Sequence, residues 1–268
     1  MEESGTKPMR DPSSHPWWIR DLIIAAGFLT RLPVPSTDAG DRQLMRTGWC
    51  FPLVGTAIGG FGGLLALSTY SIGMPVFASA LVALAGTALL TGALHEDGLA
   101  DLADGFGGGH DRDAKITIMR DSRIGSYGVL ALVLATGLKA SAIMTLLSDG
   151  DAMSLIIAMA VAHGGARALI PPVALWMSNA SEAGLGKMAG RPKMSTVQIS
   201  LAISAVSLLI ILPTSTAVVT GVIGCATAAC VAALAQHQIG GYTGDVLGAV
   251  EQAVETGMLL ALAAMIGA

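Results

Sequence analysis

Charged residues disappear from this chain for long stretches. Between Arg46 and Glu96 there is no Lys, Arg, Asp or Glu, and between Lys193 and Asp245 there is again none. Each stretch has room for two membrane-crossing helices of about 20 residues with a turn between them. A soluble helical bundle would need polar faces on its outer helices, and these stretches have none. The pattern predicts spans near 50–70 and 76–94, turning at Ser71 to Pro75. Further spans follow near 126–148 and 152–178, joined by an acidic turn at Asp149 and Asp151. The last three are near 196–212, 215–236 (after a turn at Pro213) and 246–267. An apolar stretch from Trp17 to Arg31, ahead of Pro33 and Pro35, is short for a crossing. It reads as an interfacial helix with its paired Trp at headgroup level, an eighth span being the alternative. The fold class is therefore an all-α polytopic membrane protein, a bundle of about seven transmembrane helices plus a short N-terminal helix.

Composition narrows this further. Of 268 residues, 53% are hydrophobic and 13% charged, against about 25% charged in a typical soluble domain. The chain has 34 Gly but only five Phe and three Tyr. Small residues let helices approach closely in lipid, and the scarcity of aromatics argues against a β-barrel with aromatic girdles. Cys50, Cys225 and Cys230 have no metal-ligand spacing and read as small core residues. A net charge of −4 gives no electrostatic footprint for nucleic acid. Residues 1–16 are polar and read as a disordered tail, leaving 17–268 as a single integral-membrane domain.

If the spans alternate, loops 32–47, 95–125, 179–195 and 237–245 share one side. They carry Arg42, Arg46, Arg112, Lys115, Arg120, Arg123, Lys187, Arg191 and Lys193, while the opposite turns carry no Lys or Arg. The positive-inside rule makes that side cytoplasmic.

Within this frame HEDGLADLADG, residues 95–105, is an anomaly. Asp97, Asp101 and Asp104 are spaced i, i+4, i+7 and share one helical face, with Leu99, Leu102 and Phe106 on the other. Like charges so spaced repel, which calls for a cation. Hard carboxylate oxygens suit Mg²⁺, which keeps waters or substrate phosphates in its remaining positions. Glu96 and His95 project elsewhere, and Gly98 with the Gly105–Gly109 cluster predicts close approach by a ligand or another backbone.

A second group, IMRDSRIGSYG (118–128), sets Arg120, Asp121, Ser122 and Arg123 just before a span starting near Ser126. Guanidinium groups beside a helix N-terminus suit a phosphate. The third is GGYTGDVLGAVEQAVE (240–255), where Thr243 or Asp245 can cap the last span. Glu251 and Glu255 fall inside the membrane, where such residues pair with a partner or face the bundle interior. Arg167, His163 and Lys139 are the available partners, and the set is either structural ion pairs or part of a substrate cavity.

TGALHEDGLADLADGFGGG, KITIMRDSRIGSYGVLALVL and GGYTGDVLGA together resemble the blocks of the adenosylcobinamide-GDP ribazoletransferase (cobalamin 5′-phosphate synthase) family. FLTRLPVP and WCFPLVGTAIGG match as well, so the resemblance runs from about residue 20 onward. It implies a Mg²⁺-dependent enzyme of the cell inner membrane that joins adenosylcobinamide-GDP to α-ribazole or its 5′-phosphate and releases GMP. Asp97, Asp101 and Asp104 are then assigned to the metal, with Glu96 and Asp245 as further candidates. Arg120 and Arg123 are assigned to the pyrophosphate, with Asp121, Ser122, Gly125, Thr243, Gly244 and Arg167 in the substrate site. Asp104 is the choice for general base, Asp101 a further catalytic candidate, and His110 and His237 compete. Other nucleotide-loop assembly enzymes are conceivable neighbours. Competing readings are a CDP-alcohol phosphotransferase or membrane prenyltransferase, whose aspartate motifs fit less well, and a secondary transporter using Glu251, Glu255, Arg167 and Lys139.

Overall fold

The computed structural model describes residues 16–35, 43–180 and 188–266. Nearly all of the expected tail lies outside the described residues, as do Arg42, Lys187 and parts of loops 32–47 and 179–195.

Proline punctuates the helices. Pro16, Pro75 and Pro213 immediately precede α1 (Trp17–Leu29), α3 (Val76–Thr91) and α10 (Thr214–Ile239). At these positions the absent N–H costs nothing, because the first turn has no intrahelical acceptor for it. α2 (Phe51–Ser71) continues from a 3-10 turn, Leu44–Cys50, and has Pro52 in its own first turn. α4 (Leu94–Gly108) and α5 (Arg112–Met119) form the polar segment. α6 (Ser126–Asp149) and α7 (Ala152–Ala168) follow, the latter capped by the Asp151 carboxylate, which accepts from Ser154 N at 2.7 Å. α8 (Ile170–Trp176) carries Pro171 and Pro172, and α9 (Met194–Ile211) and α11 (Gly244–Ile266) complete the set.

Among the described residues, six helices are long and apolar enough to cross a membrane: Leu44–Ser71, Ser126–Asp149, Ala152–Trp176, Met194–Ile211, Thr214–Ile239 and Gly244–Met265. They number seven if the bent pair α3 and α4, which meet at 94°, is one span. The limits of the six fall within a few residues of the expected spans, apart from the 3-10 turn that extends the first one at its start, whereas the bent pair runs on past the expected 76–94 span into the acidic block. α1, at 13 residues, is shorter than a crossing needs. The protein is thus a multi-pass membrane protein of all-α class.

Burial sorts the spans. α11 sits at the centre, with 83% of its best apolar window buried, whereas α9 and α10 bury only 22%. Outer helices that show Val206, Leu209, Val218 and Val222 to the surroundings are suited to lipid rather than water. Against α7, α2 presents Gly55, Gly59 and Gly63, and a Cβ on Gly59 would lie 2.1 Å from Met159 O. That contact explains the Gly content: backbones meet where side chains would hold them apart.

The corner between α3 and α4 is made by Gly92 (φ 68°) and Ala93 (φ 54°), the latter the only non-glycine residue with positive φ among the described residues. Such a conformation costs an L-residue of order 1–2 kcal/mol, so tertiary contacts must fix it. The Arg31 side chain covers Gly92, and Arg31 N donates to Leu90 O at 2.7 Å. The end of α1 thereby fastens the corner and aims α4 across the end of the bundle.

Candidate active site

α4 crosses the start of α11 at a glycine pair. A Cβ on Gly98 would lie 3.0 Å from both Asp245 Cα and Asp245 O, and one on Gly248 would lie 3.2 Å from His95 O. The expected close approach is therefore to another backbone, and it brings the acidic block onto the TGD segment, far along the sequence. Gly105, Gly107 and Gly109 are likewise taken up by protein contacts, with Met119, Tyr127 and Lys115.

At this crossing lies a cavity of about 250 Å³. Its charged wall consists of Asp97 from α4, Arg120 after α5 and Asp245 from α11, with Thr243 and Gly244 beside them. Its apolar wall includes Phe28 from α1, Met45 from the 3-10 turn, Phe51 from α2 and Ile170 from α8. The Thr243 hydroxyl donates to Asp245 Oδ2 at 3.2 Å and accepts from Val246 N at 3.3 Å, so it both caps α11 and orients Asp245.

The backbone around Thr243 is held from two sides. Tyr242 N donates to Ser178 O at 2.9 Å, and Ala180 N donates to Tyr242 O at 2.8 Å. Arg112 closes the junction, with Nε donating to Ile239 O at 3.0 Å and Nη2 to Ala180 O at 2.6 Å. This places Asn179, which was not anticipated, on the cavity wall.

The acidic stripe divides along its length. Asp97 is exposed and Asp101 half-buried, while Asp104 is 8% exposed. Asp97, Asp245 and Asp104 all act electrostatically on Asp101. Asp104, however, accepts Gly125 N at 2.7 Å and Gly128 N at 2.8 Å, one on each oxygen. It caps α6 from a distance, with one amide on each of its oxygens. The same bonds take up the amides of Gly125 and Gly128, two of those at the start of α6. Glu96 also turns away from the stripe, into the field of Lys139 and Glu251.

The two arginines of the RDSR group part as well. Arg120 reaches the cavity wall and acts electrostatically on Asp245. Arg123 is exposed and forks onto Asp121, donating from Nη2 to Oδ2 at 2.7 Å and from Nε to Oδ1 at 3.1 Å. These bonds hold the Asp121 carboxyl at about 2, below the usual carboxylate range. Neither Arg123 nor Ser122 lines the cavity, and His110 and His237 do not line it either.

Deeper along α11, the membrane-embedded charges pair with each other. Arg167 Nη1 lies 2.6 Å from Glu251 Oε1, and Lys139 Nζ donates to Glu255 Oε1 at 3.0 Å and to Gln252 Oε1 at 2.8 Å. His163 Nε2 lies 3.4 Å from Glu255 Oε2. Arg167 is 2% exposed and is not among the residues that line the cavity. His95 joins the two regions: its ring forms part of the cavity wall, and Nδ1 lies 3.4 Å from Glu251 Oε2.

Among the described residues, no three His, Cys, Asp or Glu converge closely enough to hold a metal by themselves. The cavity instead presents a carboxylate pair, Asp97 and Asp245. That donor set suits Mg²⁺, which is commonly held by one or two carboxylates plus substrate phosphates and water.

The chain matches the profile of the family described as cobalamin-5-phosphate synthase over residues 21–263. The chain belongs to that family. A relative named adenosylcobinamide-GDP ribazoletransferase, from Bradyrhizobium diazoefficiens, is 43% identical over 92% of this chain and 94% of its own length. Relatives of the same name from Mesorhizobium japonicum and Brucella anthropi are 35% and 36% identical, over 90% and 91% of this chain and 91% and 98% of theirs. No solved structure matches the chain. Family membership makes the chain a transferase of cobalamin synthesis and sets the transporter reading aside. The three segments that carried the resemblance meet at the cavity: the acidic block gives Asp97, the RDSR segment Arg120, and the TGD segment Thr243 and Asp245.

Proposed function

We propose that this chain joins adenosylcobinamide-GDP to α-ribazole or its 5′-phosphate at the cavity between α4 and α11, releasing GMP. A ribose hydroxyl of the acceptor attacks the phosphorus borne by the cobinamide side chain. An O–P bond forms there, the bond from that phosphorus to the bridging oxygen breaks, and GMP leaves with that oxygen. The hydroxyl proton passes to a carboxylate. The observation that carries this reading is the meeting of Asp97, Arg120 and Asp245 on one cavity wall.

Phosphoryl transfer depends mostly on positioning and on neutralising charge. Arg120 is suited to a pyrophosphate oxygen, as a planar multi-donor cation. Asp97 and Asp245 would hold Mg²⁺, with Asp101 beside them; a bound Mg²⁺ would neutralise phosphate charge. The proton, first expected to go to Asp104, would then pass to an oxygen of Asp97 or Asp245 that does not hold the metal. The cavity sits at the end of the bundle that collects the basic loops, which supports an inner-membrane enzyme with its site facing the cytoplasm.

The test uses purified full-length chain in detergent with both substrates, following GMP and corrinoid product together. The expected result is equal amounts of both, lost on chelation and regained with Mg²⁺. No GMP from the wild-type chain under any metal condition refutes the function. Turnover that is indifferent to chelation refutes the metal.

A further inference from the structure

The two substrates differ greatly in size and polarity, and the cavity discriminates between them. Its volume, about 250 Å³, lies just below the roughly 300–1,000 Å³ of ordinary small-molecule sites. A corrin macrocycle carrying a nucleotide far exceeds it, whereas a single nucleoside is of the right order.

The lining is also asymmetric. Every charged residue on the wall comes from α4, the residue after α5, or the start of α11. The parts supplied by α1, the 3-10 turn, α2 and α8 are Phe28, Met45, Phe51 and Ile170, with no charge among them. The Phe28 ring and the Met45 thioether suit a flat apolar ring system, with Phe51 fully buried in the same wall. A guanine would need its polar edge satisfied, and Asn179 is the only amide side chain among the described lining residues. A methylated benzimidazole makes much smaller demands of that kind.

We propose that the cavity is the acceptor subsite. The benzimidazole of α-ribazole lies against Phe28 and Met45, and its ribose points toward Asp97 and Asp245. The corrinoid donor stays at the mouth and presents only its pyrophosphate to Arg120. This assignment rests on the function proposed above, and its ring-binding half can be tested without turnover.

Ala189 lines the apolar side, 7% exposed, with its carbonyl accepting from Met45 N at 2.9 Å. The substitution Ala189→Leu adds bulk there, and Phe28→Ala, at a half-buried position, removes aromatic contact. For each variant, KM would be measured separately for α-ribazole and for adenosylcobinamide-GDP. Both variants are expected to raise KM for α-ribazole by about tenfold or more, leaving that for the corrinoid within about twofold. If Ala189→Leu does not fold, as judged by gel filtration, Phe28→Ala alone decides.

A raised KM for the corrinoid with α-ribazole unaffected would overturn the assignment in favour of a donor site. Unchanged values for both would overturn it outright. Should wild-type protein release no GMP, the proposed function fails, and equilibrium dialysis with α-ribazole alone still reads the cavity. Binding that Phe28→Ala weakens would uphold the subsite, and binding that is absent or unaltered would reject it.

Discussion

Two clusters of charge lie along α11, one at its start and one about two turns further in, and they differ in balance. In the deeper one, Arg167 and Lys139 meet Glu251 and Glu255 directly, at 2.6 and 3.0 Å. In the shallower one, Asp97 and Asp245 lie on a cavity wall with Asp101 in their field, and the described residues bring one arginine to that wall, Arg120. The deeper set is matched within the protein. The shallower set leaves negative charge facing open space, and a cation with a phosphate-bearing ligand can complete it. Residue types alone do not separate a structural cluster from a binding one; the local sum of charge and access does.

If that contrast is right, disturbing each cluster should be read by a different instrument. The largest effect is expected for Arg167→Leu, which leaves Glu251 buried without its guanidinium. Removing one partner of a buried pair costs about 3–5 kcal/mol, so the variant should be recovered poorly and unfold at much lower temperature in detergent. A melting point equal to wild type would mean that the deeper cluster is solvated. Next comes Asp97→Asn, expected to cut kcat about 10²–10³-fold, as for loss of one electrostatic group in an active site. Its thermal unfolding should match wild type, because the side chain is exposed.

Asp104→Ala sharpens the comparison, since Asp104 belongs to the same stripe yet serves α6. Loss of a helix cap costs about 0.5–2 kcal/mol, and thermal unfolding should report a loss of that order. The activity of the folded fraction should fall far less than in Asp97→Asn. An equal fall would restore Asp104 to the chemistry. The smallest effect is expected for Arg123→Ala, whose side chain is exposed and engaged with Asp121. Steady-state rates should stay within about twofold of wild type. A tenfold rise in KM for adenosylcobinamide-GDP would instead place Arg123 on the pyrophosphate.

Much of this was legible in the sequence, for reasons that differ by region. The spans could be read because lipid forbids unpaired charge, so charge-free runs mark them. The partners of Glu251 and Glu255 could be named because Arg167, His163 and Lys139 were among the few basic residues within spans. The i, i+4, i+7 spacing predicted the face of α4, but it could not show that its last carboxylate meets α6, more than 20 residues on. The corner at Gly92 and Ala93 has no proline to announce it, and alanine does not advertise a left-handed conformation. Arg120 and Arg123 are three residues apart, and nothing local says which one turns inward. Phe28 and Met45 look like any apolar residue beside a membrane until the fold sets them opposite Asp97 and Asp245.

The most direct test of the account is GMP release from adenosylcobinamide-GDP and α-ribazole by the wild-type chain and by Asp245→Asn, at equal amounts of folded protein in Mg²⁺. The account predicts GMP and corrinoid product in equal amounts from wild type, and a rate lower by about 10²-fold or more from the variant. Equal rates from the two proteins would contradict it, because the carboxylate pair at the cavity would then have no part in the transfer.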